Sequence, residues 1–166
     1  DEIRYGLTDE EGRMNINRVD QNLLKSLIEL AGNITSMEAL DIAASIIDWR
    51  DGDDEILPGG AENSSYSNLS SPYLCHNAQF GSIHELLLVK GVGDILFSKL
   101  EQYITIYGSG KININTADSF VLRCVAEAYS PDSREAVQAV VERIIRLRGA
   151  GNAFVKPSGS AILKQL

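Results

Sequence analysis

The chain has 166 residues, a formal net charge of −8 and 44% hydrophobic residues. That is about one domain's worth of chain with enough apolar content for a real core, which excludes wholesale disorder. The acidic balance argues against an electrostatic grip on nucleic-acid phosphates, and the longest apolar runs, such as LLLV at 86–89, are far too short to span a bilayer.

In chain order, EIRYGLT at 2–8 and RMNIN at 13–17 read as strands, with DEEG at 9–12 as the turn between them. A helix follows over 21–31, capped by Asp20 or Asn17. Ser36, with Glu38 and Ala39, opens the next, whose apolar face is Leu40, Ala43, Ile46 and Ile47. After an acidic loop at 48–66 and a Ser/Asn-rich stretch comes a pair of helices around Gly91-Val92-Gly93. That pair is expected to bury Leu87, Val89, Val92, Ile95 and Leu100. YITIY and KININ alternate about Gly108, Ser109 and Gly110, the pattern of a hairpin. Thr116 or Asp118 caps a helix over 117–128. Pro131, Asp132 and Ser133 open the last helix, with Val137, Val140, Val141, Ile144 and Ile145 inside. The first residue is Asp1 rather than Met, and the chain is read as a fragment or processed product.

The chain also repeats itself. Asn15-Ile16-Asn17 falls on Asn113-Ile114-Asn115, and the same offset carries Ile46 to Arg50 onto Ile144 to Arg148. Each half therefore reads as strand, helix, helix. The copies differ in one respect: Asp51 and Asp53 fall on Gly149 and Gly151, so only the first copy ends in acids.

That acidic end reads DWRDGDDEILPGGAENSSY. Asp51, Asp53, Glu55 and Glu62 stand at relative positions 1, 3, 5 and 12, the spacing with which an EF-hand gathers oxygen ligands. Ile56 and Pro58 stand where that motif could not accept them, so the loop is no EF-hand. The chemistry still transfers. Carboxylates on one flexible loop repel unless a cation offsets them, and hard oxygens suit calcium better than zinc. Asp51, Asp53 and Glu62 are the leading candidate ligands, with Asp48, Asp54, Glu55 and Asn77 behind them and Asn63 or backbone carbonyls completing a shell. No catalytic residues and no organic cofactor are expected. Cys75 and Cys124 are the only cysteines, open to a disulfide or to two buried thiols.

Two rival readings follow from the residues. The GVG segment resembles a helix-hairpin-helix element, which in DNA-binding proteins sets backbone amides against a phosphate. Asp94, Glu85 and Glu101 oppose that use. The acids could instead hold magnesium for phosphodiester cleavage, with only Arg50 and Lys90 to position a phosphate.

Taken in order, DEEGRMNIN, DWRDGDDEILPGGAENSSY, SPYLCHNAQFGSIHELLLVKGVG and KININTADSFVL resemble the minor pseudopilin K family of bacterial type II secretion, across residues 5–148. The resemblance implies a non-enzymatic component at the tip of a periplasmic pseudopilus. Its partners would be minor pseudopilins I and J, with no nucleic acid. It implies an inner-membrane anchor through an N-terminal helix absent from this sequence. It also implies calcium on the acidic loop, at Asp51, Asp53 and Glu62, and a periplasmic setting that favours the Cys75–Cys124 disulfide. The fold expected is α+β, mostly α. Residues 1–17 and 103–116 would form short β-hairpins of a pilin-like sheet. Residues 18–102 would be a helical insertion containing the acidic loop and the hairpin-like helix pair, followed by helices over 117–148 and a tail over 149–166.

Overall fold

The computed structural model describes residues 8–129, 133–151 and 154. Among them six helices surround one core, with a single two-stranded sheet at one side. The helices are α1 (Gln21–Gly32), α2 (Ser36–Arg50), α3 (Asn63–Tyr66), α4 (Asp94–Leu100), α5 (Ser119–Tyr129) and α6 (Arg134–Gly149). The expected class, α+β and mostly α, is what forms.

Local chemistry sets the helix starts. The Asp20 carboxylate accepts from the Leu23 amide, as expected, and starts α1. For α2 the cap is Thr35, one residue before the expected Ser36: its hydroxyl accepts from the Glu38 amide while Glu38 reaches back to the Thr35 amide. Asp118 takes the Phe120 amide ahead of α5, and Ser133 caps α6. Of the last helix's expected opening, Pro131 and Asp132 lie outside the described residues. So do residues 2–7 of the strand expected at 2–8, and most of the tail.

Helix α1 is the hub, packed against α2, α4 and α5 and burying Leu23, Leu24, Leu27 and Ile28. Four expected core positions face solvent instead. On α2 the inward stripe is Ala39, Ala43, Ile46 and Trp49, which leaves Leu40 38% exposed. Leu87 and Ile95 are likewise exposed, because the segment from the short 3-10 turn at Ile83–Leu88 through α4 buries Leu86, Val89, Val92, Phe97 and Leu100, and Ile145 is exposed because α6 buries Val137, Val141 and Ile144.

The strands depart from expectation more. No hairpin forms among the described residues. Instead β1 (Met14–Asn15) pairs in parallel with β2 (Ile104–Thr105), with Met14 opposite Ile104 and Asn15 opposite Thr105. The Asn15 side-chain amide donates to the Tyr107 and Gly108 carbonyls at 2.9 and 3.1 Å, which carries chain past β2 onto the end of β1. KININ is not a strand: the Asn113 amide donates to the Glu11 carbonyl at 2.6 Å, and the chain then turns into α5. DEEG is a 3-10 turn at Glu10–Gly12, capped by Asp9.

The sequence repeat is physical. Asn15 Oδ1 accepts from the Asn17 amide at 2.9 Å, and Asn113 Oδ1 from the Asn115 amide at 3.1 Å. Asn17 clasps the Phe80 backbone through both amide atoms, and Asn115 clasps Phe154 the same way. Arg50 donates to the Val19 carbonyl and Arg148 to that of Ala117, the matching position. Ser26 Oγ donates to the carbonyl of Cys124, its own counterpart 98 residues on, where α1 meets α5.

Candidate functional site

The acidic loop leaves the C-terminal end of α2, whose last turn is fixed by Arg50. That guanidinium donates to the Ile16 and Val19 carbonyls, tying the loop's root to the end of β1. Asp48, two residues earlier, is fully buried. Its Oδ2 accepts from the Ala61 amide at 2.8 Å, and both oxygens lie 3.3–3.4 Å from the Leu57 amide, folding the loop back over the helix. Only glycine fits at 60, since a Cβ there would stand 2.0 Å from Asp48 Oδ2. Asp48, expected among the secondary ligands, thus spends its lone pairs on the loop's backbone.

The fold delivers a different set of oxygens inward. Glu62, at the head of α3, is 1% exposed, and neither of its carboxylate oxygens accepts a hydrogen bond. Asp51 Oδ1 and Asn77 Oδ1 are also buried without a partner. Asn77 holds a left-handed backbone (φ 46°), a conformation asparagine tolerates. Its amide nitrogen donates to the Asp53 carbonyl and to Asp54, which turns its oxygen away from the loop's hydrogen bonds. Asp53 and Glu55 are exposed, and Asp53 Oδ1 accepts from the Glu55 amide. Asp54 accepts from Asn63 and Asn77. Of the expected ligands, then, Asp51, Glu62 and Asn77 present buried free oxygens, whereas Asp48, Asp53 and Asp54 are engaged with the loop and Glu55 lies outside.

Leaving buried oxygens unpartnered is costly, and more so when they are charged. Burial pushes the Glu62 carboxyl above the usual carboxylate range against the pull of the neighbouring Cys75 thiol, and the charges of Asp48, Asp51 and Asp54 add to the upward push. Burial raises Asp51 too, reinforced by Asp53, and it raises Asp48 against the pull of its backbone donors. Among the described residues no three His, Cys, Asp or Glu side chains already converge as a metal cluster. The inward set is two carboxylates and one amide, all hard oxygen donors.

An aromatic group backs the site. Trp49 meets Tyr66 edge-on at 5.2 Å between centroids, and Tyr66 stacks on Tyr73 at 5.3 Å. The acid spacing by which the loop was read gave no sign of this group. A second unforeseen contact comes from Lys90, which donates to the Gly60 carbonyl at 3.1 Å. Lys99 similarly donates to the Gly32 carbonyl at 3.3 Å. The two lysines thus turn their ammonium groups toward the protein's own carbonyls, and Asp94 and Glu101 stand close to them in the chain.

The disulfide does not form. Cys75 and Cys124 are buried free thiols. The Cys75 thiol lies beside Glu62 but gives its hydrogen bond to the Asp48 carbonyl at 3.7 Å. Cys124 sits on α5, facing α1. Burial pushes each thiol up to about 12. An aromatic disulfide reagent at neutral pH should therefore label neither cysteine in the native protein and both after denaturation; absence of labelling in denaturant would restore the disulfide.

Fold and site together define a mostly helical α+β module, built from two related helix pairs, in which one copy carries a buried set of free acidic and amide oxygens. Comparison with known proteins places it. The profile of the family Type II secretion system (T2SS), protein K, matches residues 7–109, and the chain belongs to that family. It is 36% identical over 97 residues to type II secretion system protein K of Aeromonas hydrophila, covering 57% of this chain and 28% of that protein. The Klebsiella pneumoniae protein K is 28% identical over 130 residues, covering 69% and 40% respectively. The chain thus spans well under half the length of these relatives. Among solved structures it resembles a chain of the GspK-GspI-GspJ complex of the enterotoxigenic Escherichia coli type 2 secretion system. There the TM-score is 0.66 at 25% identity, over 74% of this chain and 49% of that one. None of the described helices is long and apolar enough to cross a membrane.

Proposed function

We propose that this chain is part of a non-enzymatic assembly subunit at the tip of a type II secretion pseudopilus, with its acidic loop held by calcium. The subunit works in the periplasm, is anchored in the inner membrane through the protein to which the chain belongs, and binds minor pseudopilins I and J. Membership of the protein K family and likeness to a chain of the GspK-GspI-GspJ complex support the assembly role. The observation that carries the metal reading is Glu62, buried with both carboxylate oxygens unpartnered.

The residues present fit a hard cation. Asp51, Glu62 and Asn77 would hold it, with loop carbonyls and water completing a shell of six to eight oxygens. Calcium there supplies the positive charge that offsets the burial and mutual repulsion of the carboxylates. The rest is done by the protein: Asp48 and Arg50 fix the two ends of the loop's root, and Asp54 and Asn63 brace its far side. Zinc is disfavoured, because the inward set offers neither imidazole nor thiolate.

Calorimetric titration of calcium chloride into the metal-stripped protein should give saturable heat that disappears in Glu62→Gln; a flat wild-type titration removes the metal from the proposal. Mixed with minor pseudopilins I and J of the same system, the subunit carrying this chain should co-elute with them, whereas separate elution of all three overturns the assembly role.

A further inference from the structure

One peptide group in the loop is gripped at both ends by side chains of opposite charge. The N–H between Gly60 and Ala61 donates to Asp48 at 2.8 Å, and the carbonyl of the same peptide accepts from Lys90 Nζ at 3.1 Å. Lys90 also reaches the Gly59 carbonyl, at 3.4 Å. Asp48 comes from α2, and Lys90 comes from the GVG turn, 30 residues beyond Gly60. The residue that follows this peptide is Glu62, with its two buried free oxygens.

Lys90 is itself fixed in place. Its backbone amide donates to the Tyr66 hydroxyl at 3.3 Å, and Tyr66 ends the short helix that Glu62 begins. The next residue, Gly91, has φ 87°, and a Cβ there would lie 2.6 Å from Ile42 Cγ1. A side chain at 91 would push the turn away from α2 and take Lys90 with it.

We propose that Lys90 and Asp48 are a positioning pair for the metal site: together they clamp the Gly60–Ala61 peptide and so aim Glu62 inward, and the GVG turn serves to carry Lys90. This rests on the calcium reading above. It assigns the hairpin-like element a task within the site rather than a partner outside it.

Two physical effects of Lys90 have opposite signs, which makes the clamp testable. As a positive charge beside a cation site, Lys90 repels the cation, and by Coulomb's law alone its removal should tighten binding. As a clamp, its removal frees the peptide that aims a ligand and should weaken binding. Lys90 is exposed, so solvent and salt screen its field. Its hydrogen bonds act directly on the backbone, and groups that orient metal ligands commonly contribute 10–100-fold in affinity. The clamp should therefore dominate.

The experiment is calorimetric calcium titration of the wild type, Lys90→Met and Lys90→Arg, with melting curves of all three in EDTA. Methionine keeps an unbranched stem but has no donor. The Kd of Lys90→Met should rise about tenfold, with unchanged stoichiometry and an unchanged EDTA melting temperature, and Lys90→Arg should recover part of the loss. Equal or tighter binding by Lys90→Met overturns the clamp and leaves the calcium site standing. No binding by the wild type overturns the calcium reading and the clamp with it.

Discussion

Saturating calcium should raise the melting temperature of this protein by about 5–10 °C over its value in EDTA. A ligand present at a hundred times its Kd stabilises the native state by about 2.7 kcal/mol, and a domain of this size gains roughly 2–4 °C for each of those. Glu62→Gln should abolish the gain. In EDTA the order of stabilities should reverse, with Glu62→Gln melting above the wild type. The glutamine is nearly isosteric and carries no charge, so it relieves the burial and repulsion that raise the Glu62 carboxyl in the metal-free fold. A residue that merely shaped the loop would not show this reversal. Identical wild-type melts in EDTA, calcium and magnesium would show that no divalent cation holds the loop.

The second large effect lies in the core. Leu27→Ala should destabilise the protein by about 2–5 kcal/mol, read from urea unfolding at constant slope. Leu27 is 1% exposed on the helix that packs against three others, so neighbouring backbone cannot collapse into the space. Leu40→Ala, also a leucine truncation on a long helix, should cost under about 1 kcal/mol because Leu40 is 38% exposed. Equal losses at the two positions would mean that α2 faces the core along the Leu40 stripe after all.

That contrast shows where the sequence was readable. The helices were legible because Asp20, Asp118 and Ser133 are strong local start signals, and the α1 stripe repeats at helical spacing. The buried face of α2 was legible in part: Ala43 and Ile46 are buried as expected, but Ala39 and Trp49 join them where Leu40 was expected. Alanines line it, and what lets them in is the close approach of α1, a property of the partner helix and not of the α2 pattern. The strands failed for a related reason. YITIY and KININ carry a hairpin pattern, but Asn113 behaves as its counterpart Asn15 does and turns the chain toward a helix. The repeat read both halves as strand, helix, helix; the Asn turn forms in both copies, but only the first keeps its strand, β1.

At the site, the acidic character was plain from the sequence, but the division of labour was not. Spacing ranks Asp51, Asp53 and Glu62 alike. Only the fold distinguishes Asp53, which accepts from its own loop, from Glu62, which is carried inward by the turn at Gly60. Lys90 was noticed only as a possible phosphate contact; its grip on the loop was not legible because its partners are backbone carbonyls, and any residue could have supplied those.

The parallel pairing of β1 with β2 bears on folding kinetics. The Asn15 amide and the Ile106 carbonyl that it reaches are 91 residues apart, and the whole acidic loop lies within the ring they close. Closing a ring that long costs about 4 kcal/mol of chain entropy before any contact repays it. Two residue pairs of ladder cannot repay it alone, so the strands must join after α1, α2 and α4 have drawn their ends together. The sheet is then a late clasp rather than a nucleus, closed around an acidic loop whose flanking helices are already packed.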